Sequence, residues 1–170
     1  MEGPAAYGMK FQARALAAVE ADPGRSRWLV GSTALREDPN ELHLVQHDAA
    51  ADHLAAVAVF PHAAGEVWDV APAPAGLDPG LCFTAHAAGR RHGATLWRLC
   101  GGAGEAAGEE GRLEAEAALG VPEGQRVRRV AWGGAARVAA VSERQVRAGP
   151  PASIRLLLQG LARPSRCARR

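Results

Sequence analysis

Short apolar segments alternate with turn residues along most of the chain. Segments of six to eight residues rich in Val, Leu, Ala and aromatic side chains are separated by clusters such as Asp38-Pro39-Asn40. Strands of this length with Gly, Pro, Asn and Asp between them predict an all-β sheet array. The predicted strands are residues 28–35, 41–47, 54–60, 66–71, 81–86 and 94–99.

These segments recur at a nearly constant interval. The segment that begins at Trp28 resembles the one that begins at Leu81, 53 residues later, and residues 41–47 resemble residues 94–100 at the same offset. Residues 66–71 resemble 126–132, roughly 60 on, and residues 135–142 take the place of the Leu81 segment. Four strands per repeat are typical of β-propeller blades. The sequence therefore predicts two to two and a half four-stranded blades, an incomplete ring, with extra length in loops at 72–80 and 101–115.

The ends of the predicted blades carry degenerate forms of the WD-repeat signature. A Gly-His turn normally precedes the innermost strand and Trp-Asp closes the third strand. Here the turn begins at His62, and the third strands end in His47-Asp48 and Trp97-Arg98, so that an arginine replaces the second aspartate. We expect the large aromatic side chains to pack between neighbouring sheets. These are Trp68, Trp97 and Trp132.

Composition and charge restrict the class of protein. Apolar residues make up 48% of the chain but aromatic residues only 5%. The longest strongly apolar run has seven residues, far short of the roughly 20 that a membrane-spanning helix needs. The amino-terminal residues carry no secretory signal pattern, and three cysteines form no even disulfide framework. A reducing compartment, cytosol or nucleus, is therefore expected.

The net charge of +2 conceals a division of the chain. Residues 1–125 carry a net −8, whereas residues 126–170 carry a net +10. We expect residues 147–170 to form a basic tail that is disordered or non-native. Nucleic-acid binding is disfavoured because residues 163–170 contain no aromatic side chain that could stack on bases.

Several sequence blocks match a known family in order. They are Tyr7-Gly-Met-Lys-Phe-Gln-Ala-Arg-Ala-Leu16, Trp28-Leu-Val-Gly-Ser-Thr33, Asn40-Glu-Leu-His-Leu-Val45, His62-Ala-Ala-Gly-Glu-Val-Trp-Asp-Val-Ala-Pro-Ala-Pro74 and Gly93-Ala-Thr-Leu-Trp-Arg98. Together they resemble the N-terminal part of the EARP and GARP complex-interacting family of seven-bladed WD-repeat propellers, over about residues 7–146.

The resemblance implies a non-enzymatic adaptor. Its expected protein partners are the EARP and GARP tethering complexes, in endosomal recycling and dense-core vesicle traffic, and its expected location is the cytoplasm at the trans-Golgi network and recycling endosomes. No direct membrane insertion, nucleic-acid partner or small-molecule substrate is expected. A generic WD-repeat scaffold of another pathway is the alternative within the same class.

The predicted domain organisation is residues 1–146 as blades and 147–170 as the tail. Beyond Val146 the family would continue into a strand ending in Trp-Asp, whereas this sequence continues Arg147-Ala-Gly-Pro-Pro. We therefore expect a truncated, alternatively spliced or mispredicted product with two open inter-blade faces. Because repeat units of this kind usually need at least three neighbours, we expect the chain alone to be poorly stable unless a partner completes it.

Enzymatic and metal-binding alternatives are weaker. The run from Gly102 to Ala107 has the form Gly-x-Gly-x-x-Ala between a strand and the helix-prone residues 109–119, which formally fits a dinucleotide fingerprint. Glu105 would repel a pyrophosphate there, so a loop that connects blades is the preferred interpretation.

The remaining candidate ligands and nucleophiles have unsuitable spacing. A zinc site from Cys82, His86, His92 and Cys100 lacks the close cysteine pair of structural sites. His43 and His47 share a strand face but lie about 13 Å apart. Ser32 has no assignable base, and Asp48 and Asp52 are expected to be solvated near His47 and His53. The sequence therefore predicts no catalytic, cofactor or metal site.

Overall fold

All the regular structure in the described part of the chain is β-strand. The structure is a computed structural model that describes residues 4–34, 39–101, 109–119, 121, 124–134, 137–143 and 146–149. Within these residues the strands are β1 (Ala13–Ala18), β2 (Arg27–Ser32), β3 (Asn40–Asp48), β4 (His53–His62), β5 (Glu66–Pro72), β6 (Leu81–Ala88), β7 (Arg91–Cys100), β8 (Glu109–Glu110), β9 (Arg112–Leu119), β10 (Val127–Trp132), β11 (Val138–Ser142) and β12 (Val146–Gly149).

The strands form three sheets, each a meander of consecutive antiparallel strands. The first sheet has the order β1-β2-β3-β4, the second β5-β6-β7-β9 and the third β10-β11-β12. The two-residue β8 returns from the second unit and pairs in parallel with the outer strand β4. Two four-stranded units and a three-stranded one confirm the predicted all-β partial propeller.

The repeat seen in the sequence corresponds to the three successive sheets of the structure. The Trp28 and Leu81 segments are the second strands, β2 and β6, and the segment at Val138 is the second strand of the third sheet. The sequence pattern did not single out β1, because its Ala-rich sequence has a weak apolar alternation. The structure supplies this missing first strand of the first unit.

One segment has a different secondary structure from the one expected. Residues 112–119 were expected partly as loop and partly as helix-prone, but they form β9, which pairs antiparallel with β7. Ala and Glu are good helix formers, but intrinsic propensity is weak compared with tertiary context, and pairing with a buried strand overrides it here. Residues 102–107 lie outside the described residues, so the loop itself stays a prediction.

The first residues of the predicted tail form a strand. Backbone residues Val146–Gly149 form β12, which pairs antiparallel with β11. Residues 150–170 lie outside the described residues, and their predicted disorder stays a prediction.

The sheets stack face to face, and each sheet-to-sheet contact contains one apolar cluster. The first cluster lies between the first and second sheets and is centred on Leu29, Phe60 and Val67. The second cluster lies between the second and third sheets and is centred on Phe83 and Val130. Strands of the second sheet are buried on both faces, so successive side chains of β6 enter different clusters.

Candidate interaction surface

The first strand of each sheet contains a β-bulge near its start. The pairing register shifts at Arg14 in β1, at Trp68 in β5 and at Arg128 in β10. A bulge bends its strand and re-aims a side chain. Because β5 contacts both β1 and β10, the three bulge residues meet at one edge of the sheets, where β1, β5 and β10 begin. We call this edge the hub edge.

The three bulge residues form a ladder of cation–π contacts. The guanidinium carbon of Arg14 lies 4.2 Å from the centroid of the Trp68 ring, and that of Arg128 lies 4.7 Å from it. Trp68 Nε1 donates a hydrogen bond of 3.0 Å to Glu66 Oε2, which fixes the ring. Each cation–π contact contributes about 0.5–1 kcal/mol at an exposed site. The ladder therefore links all three sheets through side chains at their inner strands.

His92 and Glu143 border this ladder. The His92 ring meets Trp68 edge-on at 5.3 Å, and its Nδ1 atom is buried without a hydrogen-bond partner in the described part of the structure. Burial lowers the pKa of His92, and the nearby positive charges of Arg126 and Arg128 lower it further. Arg128 donates a 2.6 Å hydrogen bond to Glu143, and this bond lowers the pKa of that carboxyl.

The hub edge carries an excess of positive charge. Arg14, Arg90 and Arg91 are exposed and make no ion pair with the residues that the structure describes. Arg126 has only a 4.0 Å contact with Glu143, which already accepts from Arg128. The described strand starts and hairpin turns of this edge carry the arginines Arg14, Arg90, Arg91, Arg126 and Arg128, and the glutamates Glu41, Glu66 and Glu143.

A buried hydrogen-bond chain supports the turn that leads into β5. Trp97 Nε1 donates to Thr84 Oγ1 over 2.8 Å, and Thr84 Oγ1 lies 3.1 Å from His62 Nε2. His62 Nδ1 lies 2.8 Å from the Gly65 carbonyl oxygen, which can only accept. His62 therefore carries its proton on Nδ1 and accepts from Thr84, and burial lowers its pKa. Gly65 completes the turn with a φ of +100°.

This chain of bonds joins two residues that the sequence signature names separately. His62, of the degenerate Gly-His element, ends β4 of the first sheet, and Trp97, of the degenerate Trp-Asp element, lies in β7 of the second sheet; the structure connects them through Thr84. Trp97 is buried as expected, whereas Trp68 and Trp132 are only partly buried at the margin of the second cluster. The signature residues therefore join the end of the first sheet to the second sheet.

Arg98, which stands where an aspartate is expected, has a structural partner on each side. Its guanidinium donates to Asp78 Oδ2 and to Glu116 Oε1, both at 2.7 Å. Only 7% of Arg98 is exposed. The substitution therefore ties the third strand to the loop before β6 and to β9.

A second surface is an apolar groove on the outer face of the first sheet, away from the second sheet. Its volume is about 490 Å³. The side chains of Trp28, Val30, Val45 and Leu54 line it, and residues 5–11 close one side. Leu16 lies at this groove and is 68% exposed.

The four zinc-ligand candidates have different surroundings. Cys82 is fully buried in the first cluster, and burial raises the pKa of its thiol to about 12. His86 Nε2 bonds to Thr95 Oγ1 at 2.9 Å, His92 lies at the hub edge, and Cys100 is buried at the end of β7. No group of three or more His, Cys, Asp or Glu side chains in the described residues is placed to hold a metal ion.

The two other histidines considered as ligands are also engaged locally. His43 lies between the Tyr7 hydroxyl at 2.8 Å and Glu41 Oε2 at 2.9 Å. His47 Nε2 lies 3.1 Å from Asp52 Oδ1, at an exposed position.

The hydroxyl and carboxylate candidates act within turns and strand ends. Ser32 Oγ donates to Asn40 Oδ1 at 3.3 Å and accepts from the Glu41 backbone N–H at 2.8 Å. Asp48 is exposed and accepts from two backbone N–H groups of its own turn. The Gly102 to Ala107 motif lies outside the described residues. The segment expected as its helix is the strand β9, so the strand–turn–helix context of a dinucleotide site is not formed.

Sequence reasoning missed the two arginines of the ladder. Arg14 and Arg128 stand 54 and 60 residues from Trp68, close to the period that relates β1, β5 and β10. The offset alone could have placed them at equivalent positions, but the bulges that aim them at Trp68 have no signature in these sequences.

No helix of sufficient length and apolar character to cross a membrane occurs among the described residues.

Comparison with known proteins gives partial matches. No family model matches the chain. WD repeat-containing protein DWA2 of Arabidopsis thaliana is 33% identical over 93 residues, 55% of this chain and 25% of that protein. The EARP-interacting protein homolog of Danio rerio is 38% identical over 74 residues, 44% of this chain and 19% of that protein. EARP and GARP complex-interacting protein 1 of Homo sapiens is 35% identical over 85 residues, 50% of this chain and 21% of that protein.

These similarities confirm the resemblance to WD-repeat proteins and to EARP- and GARP-interacting proteins. The matched part of the chain spans a quarter or less of the length of these relatives.

Proposed function

We propose that this chain is a non-enzymatic WD-repeat adaptor that binds EARP- or GARP-type tethering complexes in endosomal recycling and dense-core vesicle traffic. The observation that carries the proposal is its 35–38% identity to relatives that are named for this interaction. The stacked blades are a suitable scaffold, because stacked repeat units present extended surfaces to protein partners. The proposed place of action is the cytoplasmic side of the trans-Golgi network and recycling endosomes.

An adaptor role fits the use that the chain makes of its polar side chains. His62, Thr84 and Trp97 satisfy one another between the first and second sheets, and Ser32 caps a strand end. The thiol of Cys82 is buried and protonated, which is the opposite of what a nucleophile requires. The exposed chemistry is instead the arginine-rich hub edge and the apolar groove, which are surfaces suited to binding.

A scaffold of another pathway is the second candidate. Its support is the match to the plant WD-repeat protein, whose aligned region of 93 residues is longer than that of the EARP-interacting relatives quoted above. That protein's name states a WD repeat and no tethering complex. Identifying which complexes the chain retains separates these two candidates.

The test is affinity purification of the tagged chain, followed by immunoblotting for subunits shared by the EARP and GARP complexes. A variant with Leu29→Asp and Val67→Asp is the control, because both side chains are buried in the first cluster and two carboxylates there would unfold the blades. We expect enrichment of the subunits with the wild-type chain alone. Equal recovery with the unfolded control, or none with either, would contradict the proposal.

A shortened form of such an adaptor stays a prediction. Sequencing the transcript past the codon of Val146 tests it, since a full-length adaptor would continue into further Trp-Asp blades.

A further inference from the structure

The Arg14–Trp68–Arg128 ladder holds the guanidinium of Arg14 in place, and no carboxylate of the described residues pairs with it. Arg14 is exposed, and its contact with the described residues is the stack on the Trp68 ring at 4.2 Å. A guanidinium that stacks on an aromatic face keeps its N–H donors free in the plane of the group. Arg128, on the same ring, already donates to Glu143. The two ends of the ladder are therefore unequal: the Arg128 end is paired with a carboxylate, whereas the Arg14 end makes no ion pair with the described residues.

We propose that the hub edge is a docking site for an acidic peptide segment of a protein partner, with Arg14 binding a carboxylate in a bidentate pair. A planar guanidinium fork matches carboxylate geometry, and such charge-assisted bonds are about twice as strong as neutral ones. Trp68 keeps the Arg14 side chain oriented before binding, which reduces the entropy lost when the partner docks.

The surroundings of Arg14 extend the site along the edge. Arg90 and Arg91 are exposed on the β6–β7 turn and make no ion pair with the described residues. Arg126, whose side chain is 57% exposed, has a single ion pair among the described residues, at 4.0 Å from Glu143. An extended segment with several Asp or Glu residues would therefore find more than one arginine along the three blades.

The distribution of charge favours a peptide over a polyphosphate chain or a lipid surface. Glu41, Glu66 and Glu143 lie among the arginines of this edge. They would repel a continuous row of phosphates, whereas carboxylates spaced along a peptide can pair with arginines between them.

This inference rests on the proposed function only in that a protein partner is expected. The probe is a short fluorescein-labelled peptide of alternating glutamate and serine, and fluorescence anisotropy measures its binding to the chain. The Arg14→Gln variant removes the charge, and Arg14→Lys keeps the charge but not the planar fork. Arg25→Gln is the matched control, because Arg25 is exposed on the β1–β2 loop at the opposite edge. Circular dichroism verifies that each variant keeps its strand content.

We expect Arg14→Gln to weaken peptide binding about tenfold, Arg14→Lys to weaken it less, and Arg25→Gln to leave it unchanged. A peptide of alternating lysine and serine should bind Arg14→Glu better than it binds the wild-type chain. Equal binding by the wild-type chain and Arg14→Gln, or equal binding of a glutamine–serine peptide, overturns the proposal. Tighter binding of single-stranded RNA or of phosphatidylserine vesicles than of the acidic peptide also overturns it.

The two proposals fail separately. If the acidic peptide binds through Arg14 but no EARP or GARP subunit co-purifies, the site stands and the proposed partner is wrong. If the subunits co-purify equally with the wild-type chain and Arg14→Gln, and the peptide does not bind, the adaptor role stands and the hub-edge site is wrong.

Discussion

The close approach between the first two blades depends on a missing side chain at Gly31. This residue lies in β2 and faces β5 of the second sheet. A Cβ atom added there would lie 2.4 Å from Val67 Cγ1 and 2.7 Å from Val67 Cβ, with the Ala15 Cβ at 3.2 Å. The first two distances are far inside van der Waals contact, and Val67 is fully buried. We therefore predict that Gly31→Ala destabilises the protein.

The magnitude follows from two opposing effects. Overfilling a packed core costs about 1–3 kcal/mol, because the sheets must separate or Val67 must leave its rotamer. Replacing a strand glycine by alanine recovers about 0.5–1 kcal/mol, because the unfolded chain loses conformational freedom. The net expectation is a loss of about 0.5–2 kcal/mol in the free energy of unfolding. In a chain of this size, each kcal/mol lowers Tm by about 2–4 °C.

A double-mutant cycle with Val67→Ala measures the contact. The assay is urea unfolding followed by tryptophan fluorescence, with protease susceptibility as a second readout. Val67→Ala alone should destabilise by leaving a cavity, but it should cost less, or even restore stability, when it is combined with Gly31→Ala. A coupling energy of about 0.5 kcal/mol or more in this direction is expected for residues in contact.

Two results would refute the reasoning. A Gly31→Ala variant as stable as the wild-type chain would show that the blades are not packed as closely as the distances state. Purely additive losses in the double variant would show that the effect does not come from Val67.

Three further predictions concern the second blade. Thr84→Val should lower the free energy of unfolding by about 2 kcal/mol, because the Trp97 indole loses its buried acceptor; Thr84→Ser is the control that retains the hydroxyl, and equal losses in urea unfolding would argue against the hydrogen bond. Arg98→Gln should lower the free energy of unfolding by about 2 kcal/mol in the same assay, because breaking a buried ion pair costs about 3–5 kcal/mol and the partial exposure of Asp78 reduces that cost. An unchanged stability would show that the ion pair is not formed. Burial lowers the pKa of His86 from 6.5 to about 4, so the unfolded chain takes up a proton at a higher pH than the folded chain does, and stability should fall as pH drops from about 6.5 toward 4. Tm measured between pH 7 and 5 should therefore depend less on pH in His86→Gln than in the wild-type chain. An identical slope of Tm against pH in both would count against this origin.

The blade repeat was predictable because it rests on local patterns. Turn residues such as Gly65 and Pro39 interrupt apolar segments, and a strand's period of two places alternate side chains on opposite faces. The 53-residue offset between Trp28 and Leu81 therefore placed two second strands in equivalent positions before any contact was known. Where the local pattern is weak, as in β1, or favours helix, as in β9, the prediction was incomplete, because pairing with a buried neighbour decides such segments.

The candidate site required contacts between residues that are distant in the chain. Sequence reasoning interpreted Trp68 as core packing, and its position on an innermost strand was right. That its ring lies between two arginines follows from bulges in three different strands. A bulge is set by how a strand meets its partner and not by its own composition, so Arg14 and Arg128 had no local signal.

For this protein, the sequence by itself determined the alternation of strands and turns, the repeat and the likeness to WD-repeat proteins, since these depend on residues near one another in the chain. Only the tertiary structure decided that Gly31 packs against Val67, that His62 and Trp97 both bond to Thr84, and that Arg14 stacks on Trp68. Each of these is a contact between residues of different strands, and such contacts form only when the sheets have packed together.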